Sequence, residues 1–134
     1  MVIWTEAGGG ADLVEEALRK SSVLWLLLPS CPLPRIAWHL WHDGAACVVH
    51  GGAEQELPVL DELREVDIWV RSKDTASLLA RWAARVEQVL PDDPRWAAAV
   101  AALHAHRQSP PDGADQPARW AKHSRVTRLV PLPR

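Results

Sequence analysis

Two spacings of apolar side chains take turns along this chain and divide it into helices and strands. Leu13, Ala17 and Leu18 share one side of a short helix, with Asp12 and Glu15 placed to cap its start reciprocally. Gly8 to Gly10 belong to a flexible lead-in over residues 1–11. Val23 to Leu28 is apolar on both faces and too short for a helix, which predicts a central strand ended by Pro29, Pro32 and Pro34. Residues 35–50 read as two β-type runs around Asp43-Gly44, a dipeptide that tolerates the positive φ angles of a two-residue type I′ turn. Such a turn sets the register. One face pairs His42 with Ala45, Leu40 with Cys47 and Trp38 with Val49; the other pairs Trp41 with Ala46, His39 with Val48 and Ala37 with His50. The first face is expected in the core. The second, which carries Arg35, His39 and His50, is expected to serve a pocket or an interface.

Further on, Gly51 to Glu56 form a loop, Pro58 to Leu63 one helical turn, and Val66 to Ser72 alternate as a half-buried strand. Thr75 to Leu90 carries both periods: Leu78, Leu79, Trp82, Val86 and Val89 at helical spacing, Trp82, Ala84 and Val86 at strand spacing. Periodicity alone slightly favours helix. Asp93 as cap and Pro94 as first residue open an Ala-rich helix to about Arg107, with Trp96, Val100 and Leu103 on its buried stripe. A short helix over 117–122 and a strand over 125–130 complete the chain.

Composition narrows the function classes. With 134 residues, one globular domain over 1–134 fits, and a chain of this length needs no disulfide or structural metal to hold its core. Fifteen basic and 17 acidic side chains give a net charge of −2 without any basic block, which argues against nucleic-acid and acidic-lipid partners. The apolar run Val23 to Pro29 is far below the ~20 residues of a membrane span, and the first residues lack a basic region followed by an apolar one, so a soluble protein without an export signal is expected. Two cysteines without metal-type spacing suit a reducing cytoplasm. Eight Trp beside no Phe or Tyr, and 12 Arg against 3 Lys, reflect a GC-rich genome.

The order of elements resembles the FMN-binding split-barrel family, the pyridoxamine 5'-phosphate oxidase-like proteins. An early helix leads into a strand (Val14 to Arg19, Val23 to Leu28), Pro34-Arg35 enters the next, and the hairpin Trp38-His39-Leu40-Trp41-His42-Asp43-Gly44 turns on Asp-Gly. Val70-Arg71-Ser72-Lys73-Asp74 looks like the family's strand end leading into a polar turn, and the likeness runs from Val14 to Leu132. It implies an α+β, mainly β fold: a six-stranded antiparallel split β-barrel in which Leu78 to Val89 is a strand. It also implies a homodimer that holds FMN or a deazaflavin between subunits. The matching cofactor-binding positions are Arg35 and His39 on the hairpin and Arg71, Ser72, Lys73 and Thr75 for the phosphate, with Trp41 or Trp69 near the ring.

The loop Gly51-Gly52-Ala53-Glu54-Gln55-Glu56 departs from the family pattern, in which a basic residue faces the phosphate. That departure carries the rival reading, a split-barrel homodimer that has lost the cofactor and acts as a binding or scaffolding protein. No catalytic residue can be named, because in this family the chemistry belongs to the cofactor. No metal site is expected either: His39 and His42 point to opposite faces of their strand, and His104 and His106 lie about 200° apart on a helix. Nucleophilic catalysis has no support from Cys31 among prolines or Cys47 in the hairpin.

Overall fold

The structure, a computed structural model, describes residues 10–71, 78–106 and 113–133. Helix α1 (Gly10–Lys20) precedes strands β1 (Val23–Leu27), β2 (Arg35–Trp38), β3 (Leu40–His42) and β4 (Ala45–His50). A 3-10 turn at Leu60–Glu62 leads to β5 (Glu65–Arg71) and β6 (Leu78–Val89). Helix α2 (Trp96–His106), a second 3-10 turn at Gly113–Asp115, helix α3 (Gln116–His123) and β7 (Arg125–Pro131) follow. Of the expected lead-in, residues 1–9 lie outside the described residues, while Gly10 and Ala11 already belong to α1.

The strands form one antiparallel sheet in the order β2-β1-β5-β6-β7-β4-β3. Its two end strands are consecutive pieces of chain separated by His39 alone, so the sheet closes on itself. The seven segments are therefore the six strands of the expected barrel, one of them broken at His39. The Asp-Gly turn sits as its chemistry requires, with φ of 50° at Asp43 and 79° at Gly44. Register follows the turn: His42 pairs with Ala45, Trp41 with Ala46 and Leu40 with Cys47.

Beyond Leu40 the hairpin separates, and the chain changes partner. The His39 backbone N–H donates to the Ser22 carbonyl at 2.9 Å, and β2 then pairs with β1 rather than β4. The backbone groups this leaves without a strand partner are satisfied by one side chain. Gln55 Oε1 accepts from the Trp38 N–H at 3.0 Å, while its Nε2 donates to the carbonyls of Trp38 and Val49, both at 3.1 Å. An amide side chain carries the same donor and acceptor as a peptide group, so Gln55 stands in for a missing strand residue.

Two apolar clusters hold the molecule. The barrel interior contains Leu24, Leu26, Ala37, Ala46, Val48, Ile68, Val70, Trp82, Ala84 and Leu129. Helix α1 belongs to the same cluster through Val14 and Leu18, one turn apart and fully buried. Outside the barrel, α2 packs on β3 and β4 and α3 on β7, burying Val100, Leu103 and Trp120 against Cys47, Val49 and Val126. Residues 78–89 are a strand, against the helical reading of their periodicity. This strand pairs with β5 over Leu78–Arg85 and with β7 over Ala84–Val89, and these two successive ladders, overlapping at Ala84 and Arg85, outweigh a local preference. α2 starts at Trp96, two residues after Pro94, because Asp93 closes a turn first: its Oδ1 accepts from the Arg95 N–H at 2.8 Å.

Candidate functional site

The residues expected to bind a cofactor are not gathered on one face. His39 is fully buried, and its Nε2 lies 2.8 Å from the Leu18 carbonyl in the last turns of α1. Burial holds its pKa below the usual imidazole range, opposed by that hydrogen bond. Trp41 is half-buried against the barrel interior. Arg35 sits at one end of the barrel, where its Nε donates to the Glu56 carbonyl at 3.1 Å. The hairpin face assigned to a pocket or interface is thus the inner wall of the barrel: Ala37, Ala46 and Val48 on it are core residues, and His39 faces a helix carbonyl. Both faces of this hairpin are buried because the barrel covers one and the helices cover the other.

Trp69 and Arg71 lie on β5, where Val66, Ile68 and Val70 face inward and alternation turns Asp67 and Trp69 outward. Ser72, Lys73 and Thr75 lie outside the described residues. The outer face around Trp69 is aromatic and only half-buried. Trp69 pairs across strands with Trp25 on one side and Arg81 on the other. The Arg81 guanidinium stands 5.7 Å from the Trp69 ring and donates to Asp67 Oδ2 at 2.8 Å. Such a cation over an indole is electrostatically favourable, and the carboxylate fixes the guanidinium in place. Ile36, paired with Trp25, is 54% exposed, so the apolar strip continues onto β2. Trp69 also closes one wall of a cavity of about 440 Å³ whose remaining lining, from Leu27 to Pro34, contains no charged residue.

The loop after β4 has a structural use in place of a ligand role. The Glu54 side chain, 1% exposed, is paired with Arg119 of α3 at 2.9 Å. Gln55 is committed to the backbone of β2 and β4. Gly52, at φ 64°, lies so close to α3 that a Cβ would fall 2.6 Å from the His123 carbonyl oxygen. A flavin phosphate needs free cations or amide donors, so this loop does not fit it. The outer face of β5 instead offers a half-buried indole, with the Arg81 guanidinium over its ring, beside an uncharged cavity.

Other groups are settled by their surroundings. Cys47 is fully buried, and desolvation pushes its thiol up to about 11, which makes it inert as a nucleophile. Glu87 accepts hydrogen bonds from Arg85, Arg95 and Arg128. Desolvation works to raise its pKa, but the three guanidinium groups together hold it below the usual carboxylate value. Sequence reasoning missed the structural parts of Glu54, Gln55 and Arg119 altogether. It also missed Thr127 as the partner of His50 and Gln88 as the partner of Thr127, a chain that only the β6–β7–β4 order brings about. Among the described residues no three metal-ligating side chains are grouped to hold an ion, and no helix is long and apolar enough to cross a membrane.

No protein-family model matches the chain, and no curated protein does. Solved structures do. HutZ, the heme storage protein of Vibrio cholerae, superposes with a TM-score of 0.58 at 15% identity over 90% of this chain and 89% of that one. An F420 reductase matches at 0.56 and 20% identity over 88% and 93%. A pyridoxamine 5'-phosphate oxidase candidate from Listeria innocua matches at 0.54 and 16% identity over 92% and 94%. Together with the closed, broken sheet, these similarities define the class: the chain has the split-barrel fold of the pyridoxamine 5'-phosphate oxidase-like proteins.

Proposed function

We propose that the chain is a flavin- or deazaflavin-binding oxidoreductase of the split-barrel type, working as a homodimer with the cofactor held on the outer face of β5 between two copies. The observation that carries this reading is the half-buried Trp25–Trp69 pair on a face that α2 and α3 leave uncovered, beside an uncharged cavity. Trp69 would stack on the ring. Arg71, at the end of the same strand, would take the phosphate with Ser72, Lys73 and Thr75, which follow it in sequence. The bound flavin would supply the electron transfer, and the protein would bind, orient and shield it. The names F420 reductase and pyridoxamine 5'-phosphate oxidase candidate, borne by proteins of this fold, support the choice of ligand. The unpaired thiols Cys31 and Cys47 support a reducing, cytoplasmic setting.

Adding FMN, and separately a deazaflavin, to the purified protein tests the reading. One of them should raise the melting temperature with ligand concentration and bring bound flavin absorbance; a protein unmoved by both contradicts it. In Arg71→Ala the affinity should fall by ~1.5–3 kcal/mol, the loss of a charge-assisted hydrogen bond, and an unchanged affinity would remove Arg71 from the site. A second reading, a homodimer without cofactor that serves as a binding or scaffolding protein, is favoured by one observation. The 51–56 loop is consumed by Glu54–Arg119 and by Gln55.

A further inference from the structure

His39 stands alone between β2 and β3, where the chain leaves one strand partner for another, and it is fully buried. It holds the connection between α1 and β1 twice. Its backbone N–H donates to the Ser22 carbonyl at 2.9 Å, and its ring Nε2 lies 2.8 Å from the Leu18 carbonyl. A carbonyl only accepts, so Nε2 carries the proton. The Leu18 carbonyl is one of the last four of α1, which run out of helical donors. The Ala17 carbonyl takes the Ser21 N–H at 3.1 Å, and the imidazole takes the next one. Leu18 is also, with Val14, the residue through which α1 joins the barrel core, so one residue bears both the apolar contact and the polar one.

The other ring nitrogen decides what acid does. Nδ1 is buried and has no hydrogen-bond partner among the described residues. A proton there would be a donor without an acceptor and a charge out of water. The surroundings do not compensate it. The charge that acts on the ring is that of His106 at the end of α2, and it opposes a second cation. On the last turns of α1, Arg19 and Lys20 are exposed and Glu15 is half-buried; Ser22, Trp38 and Leu40 are uncharged, and His42 closes the far end of β3. On β4, Cys47 and His50 are kept uncharged by burial. The negative end of a helix favours a charged imidazole, but burial outweighs the bond to Leu18 and holds the ring neutral.

We propose that His39 is an acid-released clasp: its neutral ring fastens the last turns of α1 to the strand break, and a proton at Nδ1 is accommodated only when the ring swings out to water, so that α1 comes away from the barrel core. In water the ring has its ordinary proton affinity, so each opening takes up one proton. The opening constant therefore rises about tenfold for each pH unit below 6.5, until the buried ring itself titrates. The clasp uses neither the outer face of β5 nor a flavin, so it stands or falls independently of flavin binding.

Hydrogen–deuterium exchange of the full chain at pH 7.5, 6 and 5, corrected for the intrinsic effect of pH on exchange, follows the opening peptide by peptide. In the wild type, peptides covering α1 should lose protection about tenfold per pH unit below 6.5. The β6–β7 ladder, residues 84–89 and 126–131, should not follow them. His39→Gln keeps an N–H for the Leu18 carbonyl and takes up no proton, so its α1 protection should stay level. Level protection in the wild type, the same slope in His39→Gln, or an equal loss in the ladder would each overturn the clasp. Long-range ¹⁵N–¹H NMR of the wild-type histidine rings gives a reading that needs no variant. His39 should be the neutral Nε2–H tautomer at pH 6, and a charged ring or an Nδ1–H tautomer there would overturn the clasp as well.

Discussion

His50 shows how a single side chain can carry a pH-dependence that its neighbours do not cancel. Burial lowers its pKa from 6.5 to about 4; Asp61 works to raise it and Arg125 to lower it further. Because the unfolded chain takes up this proton near pH 6.5 and the folded one only near pH 4, the unfolded state binds more protons in between. Stability from this group is complete above the unfolded value and is lost as pH falls through that window, on the order of 3 kcal/mol in all. The melting temperature of the wild type should therefore drop more steeply from pH 7 to pH 5 than that of His50→Gln. Parallel curves would mean that the ring is not desolvated as described. Nothing in the sequence around His50 announces this, since its hydrogen-bond partner Thr127 lies on β7 and the Gln88 that meets Thr127 lies on β6.

At the scale of elements, the broken strand is the feature that turns a hairpin into a barrel. Asp43-Gly44 and the pairing of residues 40–47 were legible because turn chemistry and register are local. The departure of β2 was not, because it depends on β1 arriving at His39 and on Gln55 reaching across from a loop. The sequence shows a Gln in a polar loop, and only the gap between β2 and β4 gives its amide three backbone partners. Gln55→Ala should cost about 2 kcal/mol through unsatisfied backbone groups. Gln55→Glu should cost more at neutral pH, since a carboxylate would face the carbonyls of Trp38 and Val49 with no donor to offer. Denaturant unfolding in the order wild type, Ala, Glu checks this, and equal midpoints for the two variants would refute it. β6 teaches the converse lesson: helical spacing in residues 78–89 gave way to two successive ladders, with β5 and then with β7, and family resemblance anticipated the strand where period alone did not.

On the scale of the whole molecule, the helices are distributed unevenly, and that asymmetry frames the functional reading. α1 joins the barrel core, α2 and α3 cover β3, β4 and β7, and the outer surface of β1, β2 and β5 keeps Trp25, Trp69 and Ile36 partly exposed. An aromatic strip of this kind is where a second copy and a flat ligand would bury the most apolar area. Of the eight positions expected to bind a cofactor, His39 and Trp41 pack into the interior, Arg35 is at a barrel end, Trp69 and Arg71 share β5, and Ser72, Lys73 and Thr75 lie outside the described residues. The resemblance identified the fold but could not sort these residues by face, because face depends on where the broken strand changes partner. If the proposed dimer forms through this strip, Trp69→Asp should place a charge in it and shift the protein toward monomer, while a variant that dimerises as well as the wild type would move the interface elsewhere. Sedimentation velocity with FMN or deazaflavin present, read at both protein and flavin wavelengths, tests the central claim most directly. The account predicts that flavin absorbance sediments with a species of twice the 14.9 kDa chain mass. Protein sedimenting at the mass of one chain, with the flavin left behind, would contradict it.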